Sequence, residues 1–175
     1  MDFKELALKR RSVRKFSDRR VETKLIQELL DITFTAPSSK NLRTTRIAVT
    51  EDKGVLETVS LMRSRGSSFV QDAPLAFIIM GDDSQTDLWR ENCAISATVL
   101  QFAAESLGLG SCWVQVFGRP HNESDPDGKT AEEYLRENYP CIPGYRIMCV
   151  VAVGYPADEA KPHTVKEDHD KVFYI

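Results

Sequence analysis

The sequence contains no apolar stretch long enough to cross a bilayer. Its longest such runs, Ala73 to Gly81 and Val150 to Gly154, fall far short of the roughly 20 residues a membrane-spanning helix needs. No transmembrane helix is expected, and no membrane partner. The opening residues, MDFKELALKRR, scatter charge among apolar positions instead of placing a basic stretch before a hydrophobic one. No secretory leader is read there, so a cytoplasmic protein is expected. Cysteine is scarce: Cys93, Cys112, Cys141 and Cys149 include no CxxC pair, and three of them lie in strongly apolar segments. They read as buried free thiols. His121, His163 and His169 share no metal-ligand spacing with a cysteine or with one another, so no metal is expected. GxSxG, GxGxxG after a strand, the P-loop and HExxH are all missing, which removes the central parts of hydrolase, Rossmann, nucleotide-triphosphatase and zinc-protease readings.

What is present is the composition of one ordinary domain spanning 1–175. The chain has 175 residues, 42% of them apolar and 28% charged, with 8 Phe, 5 Tyr and 2 Trp. That suffices for a real core and excludes a disordered or fibrous chain. The net charge of −3 hides an asymmetry. Residues 1–46 hold 12 Lys+Arg against 6 Asp+Glu, and the remainder 11 against 20. An acidic protein with a basic amino-terminal quarter is a poor nucleic-acid binder; a small anion fits it better.

Periodicity places the elements. Phe3, Leu6 and Ala7 suggest a short first helix, and Leu25, Ile26, Leu29, Leu30 and Thr33 a second, with Thr23 as its cap and Pro37 as its stop. Strands are expected over Arg46 to Thr50, Ala73 to Met80, Cys112 to Phe117 and Arg146 to Gly154, and helices over Val55 to Met62 and Thr130 to Asn138. Between Glu91 and Leu107 helix formers continue unbroken, and apolar residues cover more than one face. Such a helix belongs at the centre of the domain or in a subunit interface. The Gly108-Leu109-Gly110 stop suits a left-handed helix terminus. The apolar ending Val172-Phe173-Tyr174-Ile175 needs a surface to cover, with a partner subunit as one candidate. The class is α+β with a mostly buried sheet.

Four segments could carry chemistry. In Lys9-Arg10-Arg11-Ser12-Val13-Arg14-Lys15-Phe16, an extended chain would point Arg10, Ser12 and Arg14 the same way, and guanidinium and hydroxyl groups together make a phosphate clamp. A solvated basic turn after a helix is the plainer reading of such a run taken alone. Ala36-Pro37-Ser38-Ser39-Lys40-Asn41 is a polar loop after a helix, able to present backbone donors or to serve as an ordinary turn. Gly108 to Val114 would let the main chain approach a flat ligand, or would simply lead from helix to strand. Lys161-Pro162-His163 could close over an anion or stay solvated. A nucleophilic Cys112 would need a base that the sequence does not supply.

In this order, the four segments resemble the nitroreductase family of flavin mononucleotide (FMN) enzymes. RRSVRKF at 10–16 is similar to its amino-terminal arginine-serine signature, APSSKN at 36–41 to its Pro-Ser-Ser-x-Asn loop, GLGSCWV at 108–114 to its flavin-edge segment, and AVGYPADEAKPH at 152–163 to its closing motif. The resemblance implies a sandwich with a central mixed sheet flanked by helices, forming an intertwined homodimer with an FMN site at each interface. It implies that Arg10 and Ser12 hold the phosphate and ribityl chain with Arg11 beside them, and that Arg14 reaches the pyrimidine side and stabilises charge on the reduced ring. Pro37, Ser38, Ser39 and Asn41 would approach the same flavin from the other subunit. The backbone of Ser111, Cys112, Trp113 and Val114 would lie along the ring edge, and Lys161 would close on the phosphate.

The activity implied is an FMN-dependent NAD(P)H oxidoreductase, using NADH or NADPH and reducing nitroaromatics, quinones or similar acceptors by alternating half-reactions. A flavin-storage protein, or a same-fold enzyme for reductive dehalogenation or a specialised oxidation, remains an alternative. Two departures stand out. Leu42-Arg43-Thr44-Thr45-Arg46 replaces a Gln-Pro-Trp-like sequence, and His163 stands where Arg is common, which would make a second phosphate charge conditional on pH. The acidic loop Asn122 to Lys129 is the only obvious candidate for a lid.

Overall fold

A computed structural model describes residues 2–139, 144–159, 161–164, 168 and 171–175; Cys141 and His169 lie outside them. The helices are α1 (Phe3–Lys9), α2 (Thr23–Thr33), α3 (Lys53–Ser60), α4 (Trp89–Ser106) and α5 (Ala131–Asn138). The strands are β1 (Thr45–Thr50), β2 (Leu75–Gly81), β3 (Gly110–Gln115) and β4 (Arg146–Gly154).

The strands form one sheet in the order β1-β2-β4-β3. Every neighbouring pair is antiparallel, which corrects the expected mixed sheet. The reason lies in the last strand. The α4 crossover makes β2 and β3 run the same way, and β4 then enters between them and opposes both. Parallel pairing outside the named strands is confined to one bridge, Ser12 to Ser111, among the described residues.

Both faces of the sheet are covered, so β2 is buried at all seven positions and reads as a continuous apolar run instead of an alternating one. Alternation still sorts its side chains. Ala76, Ile78 and Met80 join Val150 and Ala152 against Leu56 and Val59 of α3 and Leu135 of α5. Leu75, Phe77 and Ile79 join Cys149, Val151 and Val153 against α2 and α4. From α4 this second layer takes Trp89, Cys93, Ala97, Leu100 and Ala104, an i, i+4 stripe. The helix therefore lies against the sheet beside α2, and its far side leaves Ile95 exposed.

Local chemistry explains where elements begin. Thr130 caps α5 through a reciprocal box with Glu133, closing two otherwise unsatisfied backbone donors. At α2 the expected Thr23 cap is corrected: Glu22 occupies the capping position and Thr23 is the first helical residue. The Glu22 carboxylate does not cap the helix; it accepts hydrogen bonds from Tyr155 (2.6 Å) and Arg19 (2.5 Å). The turn after α4 places Gly108 at φ 77°, the left-handed position read from the sequence. Among the described residues no helix is long and apolar enough to cross a membrane. Val172 to Ile175 stand exposed.

Candidate active site

The basic segment after α1 is extended and runs along the open edge of β3. Val13 N–H donates to the Ser111 carbonyl at 2.9 Å, and Ser12 bridges Ser111. Further on, Ser17 N–H donates to Tyr155 O and Ala157 N–H to Lys15 O. The segment is thus held between the β3 edge and the chain that leaves β4. Contact at Gly110 requires a glycine: a Cβ there would lie 2.7 Å from Val13 Cγ2 and 2.8 Å from Val13 Cβ.

This register places Arg10, Ser12 and Arg14 on alternate positions, as their spacing implies. Arg10 sits 5.8 Å from the Phe102 ring centroid and Arg14 5.9 Å from that of Phe69, positions at which an aromatic face attracts a cation. The run's outer lysines are neutralised, Lys9 by Glu105 at 3.6 Å and Lys15 by Asp158 at 4.0 Å. Among the described residues, Arg10, Arg11 and Arg14 have no carboxylate within ion-pair distance. Arg11 instead donates to Nδ1 of His163 at 2.8 Å. Because a guanidinium only donates, that nitrogen is the acceptor of the contact. His163 N–H also donates to Leu8 O, which brings the Lys161-Pro162-His163 segment against the end of α1, with Lys161 exposed.

Behind the arginines stands Cys112. Burial raises its thiol above the ordinary value, against the opposing pull of Arg14, a hydrogen bond with Ser12, and Arg10. A thiol so held is a wall of the site and not a thiolate nucleophile. Buried Cys93 is pushed up to about 12, and Cys149 also rises, for the same reason. Trp113 donates its indole N–H to Gln115 at 2.9 Å and packs towards α4, while Val114 packs towards α3 and α5. Val114 is buried and offers a ligand only its backbone, while Trp113 is half-buried. A cleft of about 690 Å³ opens beside Arg14, bounded by Phe16, Arg20, Leu56, Gln71 and Pro74.

The Pro37-Ser38-Ser39-Lys40-Asn41 loop lies elsewhere, leading into β1 at the opposite edge of the sheet. Three strand spacings separate the edges, about 14 Å. Among the described residues no contact joins the two segments. Lys40, Asn41 and Arg43 adopt φ of 50°, 54° and 51°, a left-handed geometry that costs non-glycine residues on the order of 1 kcal/mol or more each and persists only where the surroundings impose it. Asn92, 2% exposed on α4, does so. Its Oδ1 accepts from Ser39 N–H at 2.9 Å and its amide donates to Thr44 Oγ1 at 3.3 Å. Ser38 Oγ accepts from Arg43 N–H at 2.9 Å. Sequence reasoning missed Asn92; the available signal was an amide placed one turn before Ser96 on the face of α4 that carries Cys93 and Ala97 to the sheet. It also missed Phe69 and Phe102, which face the arginines.

The acidic loop is tied elsewhere. Glu123 pairs with Arg63 (3.3 Å) and Arg65 (3.8 Å), and Ser64 N–H donates to His121 O, so the loop is anchored on the turn after α3.

Comparison with known proteins identifies the family. The family model described as Nitroreductase family matches residues 7–64 and 57–155. A solved protein from Clostridium difficile R20291, described as an FMN-dependent nitroreductase, is 36% identical with a TM-score of 0.90, covering 97% of this chain and 96% of its own. A protein of Methanothermobacter thermautotrophicus, whose name proposes an NADH dehydrogenase/NAD(P)H nitroreductase, is 32% identical over 162 residues, 90% of this chain and 79% of its own. The chain belongs to the nitroreductase family of oxidoreductases.

Proposed function

We propose that residues 1–175 form one FMN-binding domain that works as an NAD(P)H-dependent oxidoreductase, in a homodimer with a flavin site at each interface. The observation that carries this reading is the set of three guanidiniums, Arg10, Arg11 and Arg14, on one edge-bound segment without carboxylate partners while the flanking lysines are paired. Cations held so close together without counter-charges favour an anionic ligand. A phosphate monoester suits Arg10, Arg11 and the Ser12 hydroxyl, with Lys161 closing over it. Arg14, one pair of positions further on and beside the large cleft, suits the ring end. The residues present therefore fit FMN.

Bound FMN would supply the redox chemistry, accepting electrons from NADH or NADPH and passing them to a nitroaromatic, quinone or similar acceptor in alternating half-reactions. The chain's own work is to position and to stabilise charge. Arg14 would hold its positive charge towards the pyrimidine side of bound FMN and there stabilise the negative charge of the reduced ring. On β3 the Ser111 carbonyl is already taken by Val13 N–H, so the backbone of Trp113, two positions on and facing the same edge, is the part that would line the ring. Pro37, Ser38, Ser39 and Asn41 stand about 14 Å from the clamp across one sheet. They reach a flavin only from a second copy, which is why the reading requires a dimer; the exposed Val172 to Ile175 tail is apolar surface for that assembly.

An absorbance spectrum of the purified protein, followed by anaerobic addition of NADH or NADPH, tests the proposal. A flavin band near that of bound FMN, bleached by nicotinamide, is expected. Protein that remains colourless after incubation with FMN would refute it.

A further inference from the structure

Resting on that reading, one feature of this chain goes beyond it: the Leu42-Arg43-Thr44-Thr45-Arg46 segment, where the family pattern is lost. Arg43 has its backbone held on both sides and its charge uncommitted. Its N–H donates to Ser38 Oγ at 2.9 Å, and its carbonyl accepts from Arg46 Nη1 at 2.9 Å. Its guanidinium makes one long contact, 3.5 Å to the Phe34 carbonyl, and among the described residues no carboxylate lies within ion-pair distance. Arg46 is more fully engaged, donating also to Thr45 O at 3.0 Å and lying over the Tyr145 ring.

Two adjoining hollows, of about 470 and 510 Å³, share Arg43, Phe34 and Ala36 as walls. The first adds the hydroxyls of Ser38, Thr45 and Ser96 and the apolar side chain of Ile47. The second includes the exposed Asp31, whose Oδ1 accepts from the Gln27 amide at 2.8 Å and whose negative charge leaves the first hollow as the one suited to an anion. Lys40, exposed on the same left-handed loop, adds a second positive charge at the rim. An apolar wall, neighbouring hydroxyls and an unpaired guanidinium on a fixed backbone fit a flat ring that carries an anion.

We propose that the hollow at Arg43 is a binding site for an aromatic anion, with Arg43 fixing the anionic group and Phe34 and Ile47 taking the ring, and that it serves substrates entering the flavin site formed with the 36–41 loop. Two substrates share that chemistry: an acceptor with a ring carboxylate, and a donor with a nucleoside 2′-phosphate.

Benzoate and adenosine 2′-monophosphate, which carry no reducible group, separate the two sources. Each is titrated into FMN-loaded protein by calorimetry, with flavin absorbance as a second readout and benzamide as the uncharged control. Saturable binding of at least one anion is expected, at least tenfold tighter than benzamide and at least tenfold weaker in Arg43→Asn. Asparagine removes the charge yet tolerates the left-handed backbone. Should the variant fail to fold, the salt dependence of wild-type binding takes its place: affinity for the anion falls as salt screens the guanidinium, and affinity for benzamide does not. Binding of neither anion to flavin-loaded protein, or equal affinity in wild type and Arg43→Asn, overturns the proposal. Failure to load FMN is a different outcome that refutes the proposed function, and calorimetry then still reads the Arg43 site directly.

Discussion

The two cationic regions of this molecule, 10–16 on the β3 edge and 36–46 at the β1 edge, reach the same condition by opposite means. In the first, the main chain does the holding. Ser12 and Val13 pair with Ser111, so side-chain direction follows from strand alternation, and the arginines are kept free because neighbouring lysines take the carboxylates. In the second, a buried side chain does it. Asn92 clamps Ser39 and Thr44 while three residues between them accept a left-handed backbone. The comparison teaches that where an unpaired cation stands depends on how its backbone is fixed as much as on its own charge. It also separates what mutation should reveal: damage to the first region should act through packing, and damage to the second through unsatisfied polar groups.

The strongest way to break the comparison is Gly110→Ala. Its methyl group would meet Val13 Cγ2 at 2.7 Å and Val13 Cβ at 2.8 Å, so the arginine segment must leave the sheet edge or β3 must shift. Overpacking of this kind costs about 1–3 kcal/mol. A lower melting temperature and loss of FMN retention together are expected, and Val13→Ala in the same chain should recover part of both, since it removes two of the three nearest atoms. Unchanged FMN affinity in Gly110→Ala would mean that the segment does not depend on its β3 contact.

A pair of substitutions sharpens the contrast. Asn92→Ala leaves the Ser39 N–H without its acceptor in a part-buried setting and removes the amide from Thr44, for a loss of about 1–3 kcal/mol in stability. The loop, released from its imposed geometry, should also become a preferred site of limited proteolysis. Arg10→Ala should do the reverse, weakening FMN binding by about 1.5–3 kcal/mol, the range for a hydrogen bond to a charged group, with little change in melting temperature. Calorimetric unfolding and FMN titration on both variants check the crossing pattern. A destabilised Arg10→Ala with normal FMN affinity would assign that arginine to packing on Phe102.

Much of this architecture was readable before any coordinates. Arg146 to Gly154 is a strand with those bounds, α4 differs by two residues at its start and one at its end, and the Arg10, Ser12, Arg14 alternation survives as a real edge. These features are local, since burial period and glycine placement are written within each element. Strand pairing is not. That β4 enters between β2 and β3 depends on contacts far apart in the chain, so an antiparallel sheet replaced the mixed one expected. The left-handed residues at Lys40, Asn41 and Arg43 were equally hidden, because none is glycine and their cause is Asn92, some fifty positions away. Thr23 lost its capping role because Glu22 reaches Tyr155 beyond the end of β4, a partner that no local pattern contains.

That last contact supplies the mildest test. Glu22 is held at about 2, chiefly because the Tyr155 hydroxyl and the Arg19 guanidinium donate to its charged form. Arg19 also lies 3.9 Å from the Tyr155 ring centroid, so the three residues tie the segment after the clamp to the chain leaving β4. A carboxyl held below its unfolded value of about 4.5 binds fewer protons when folded. Its stabilisation is therefore fully present above that value and is lost as pH falls through the folded one. Glu22→Gln should melt slightly below wild type at pH 6, and the gap should close progressively between about pH 4.5 and 2 as wild type gives up its charge. The site is exposed, so the effect should be small and should shrink with added salt. A gap that persists unchanged at pH 2 would mean that Glu22 contributes through shape, and that the Tyr155 bond ties the clamp segment to β4 without help from charge.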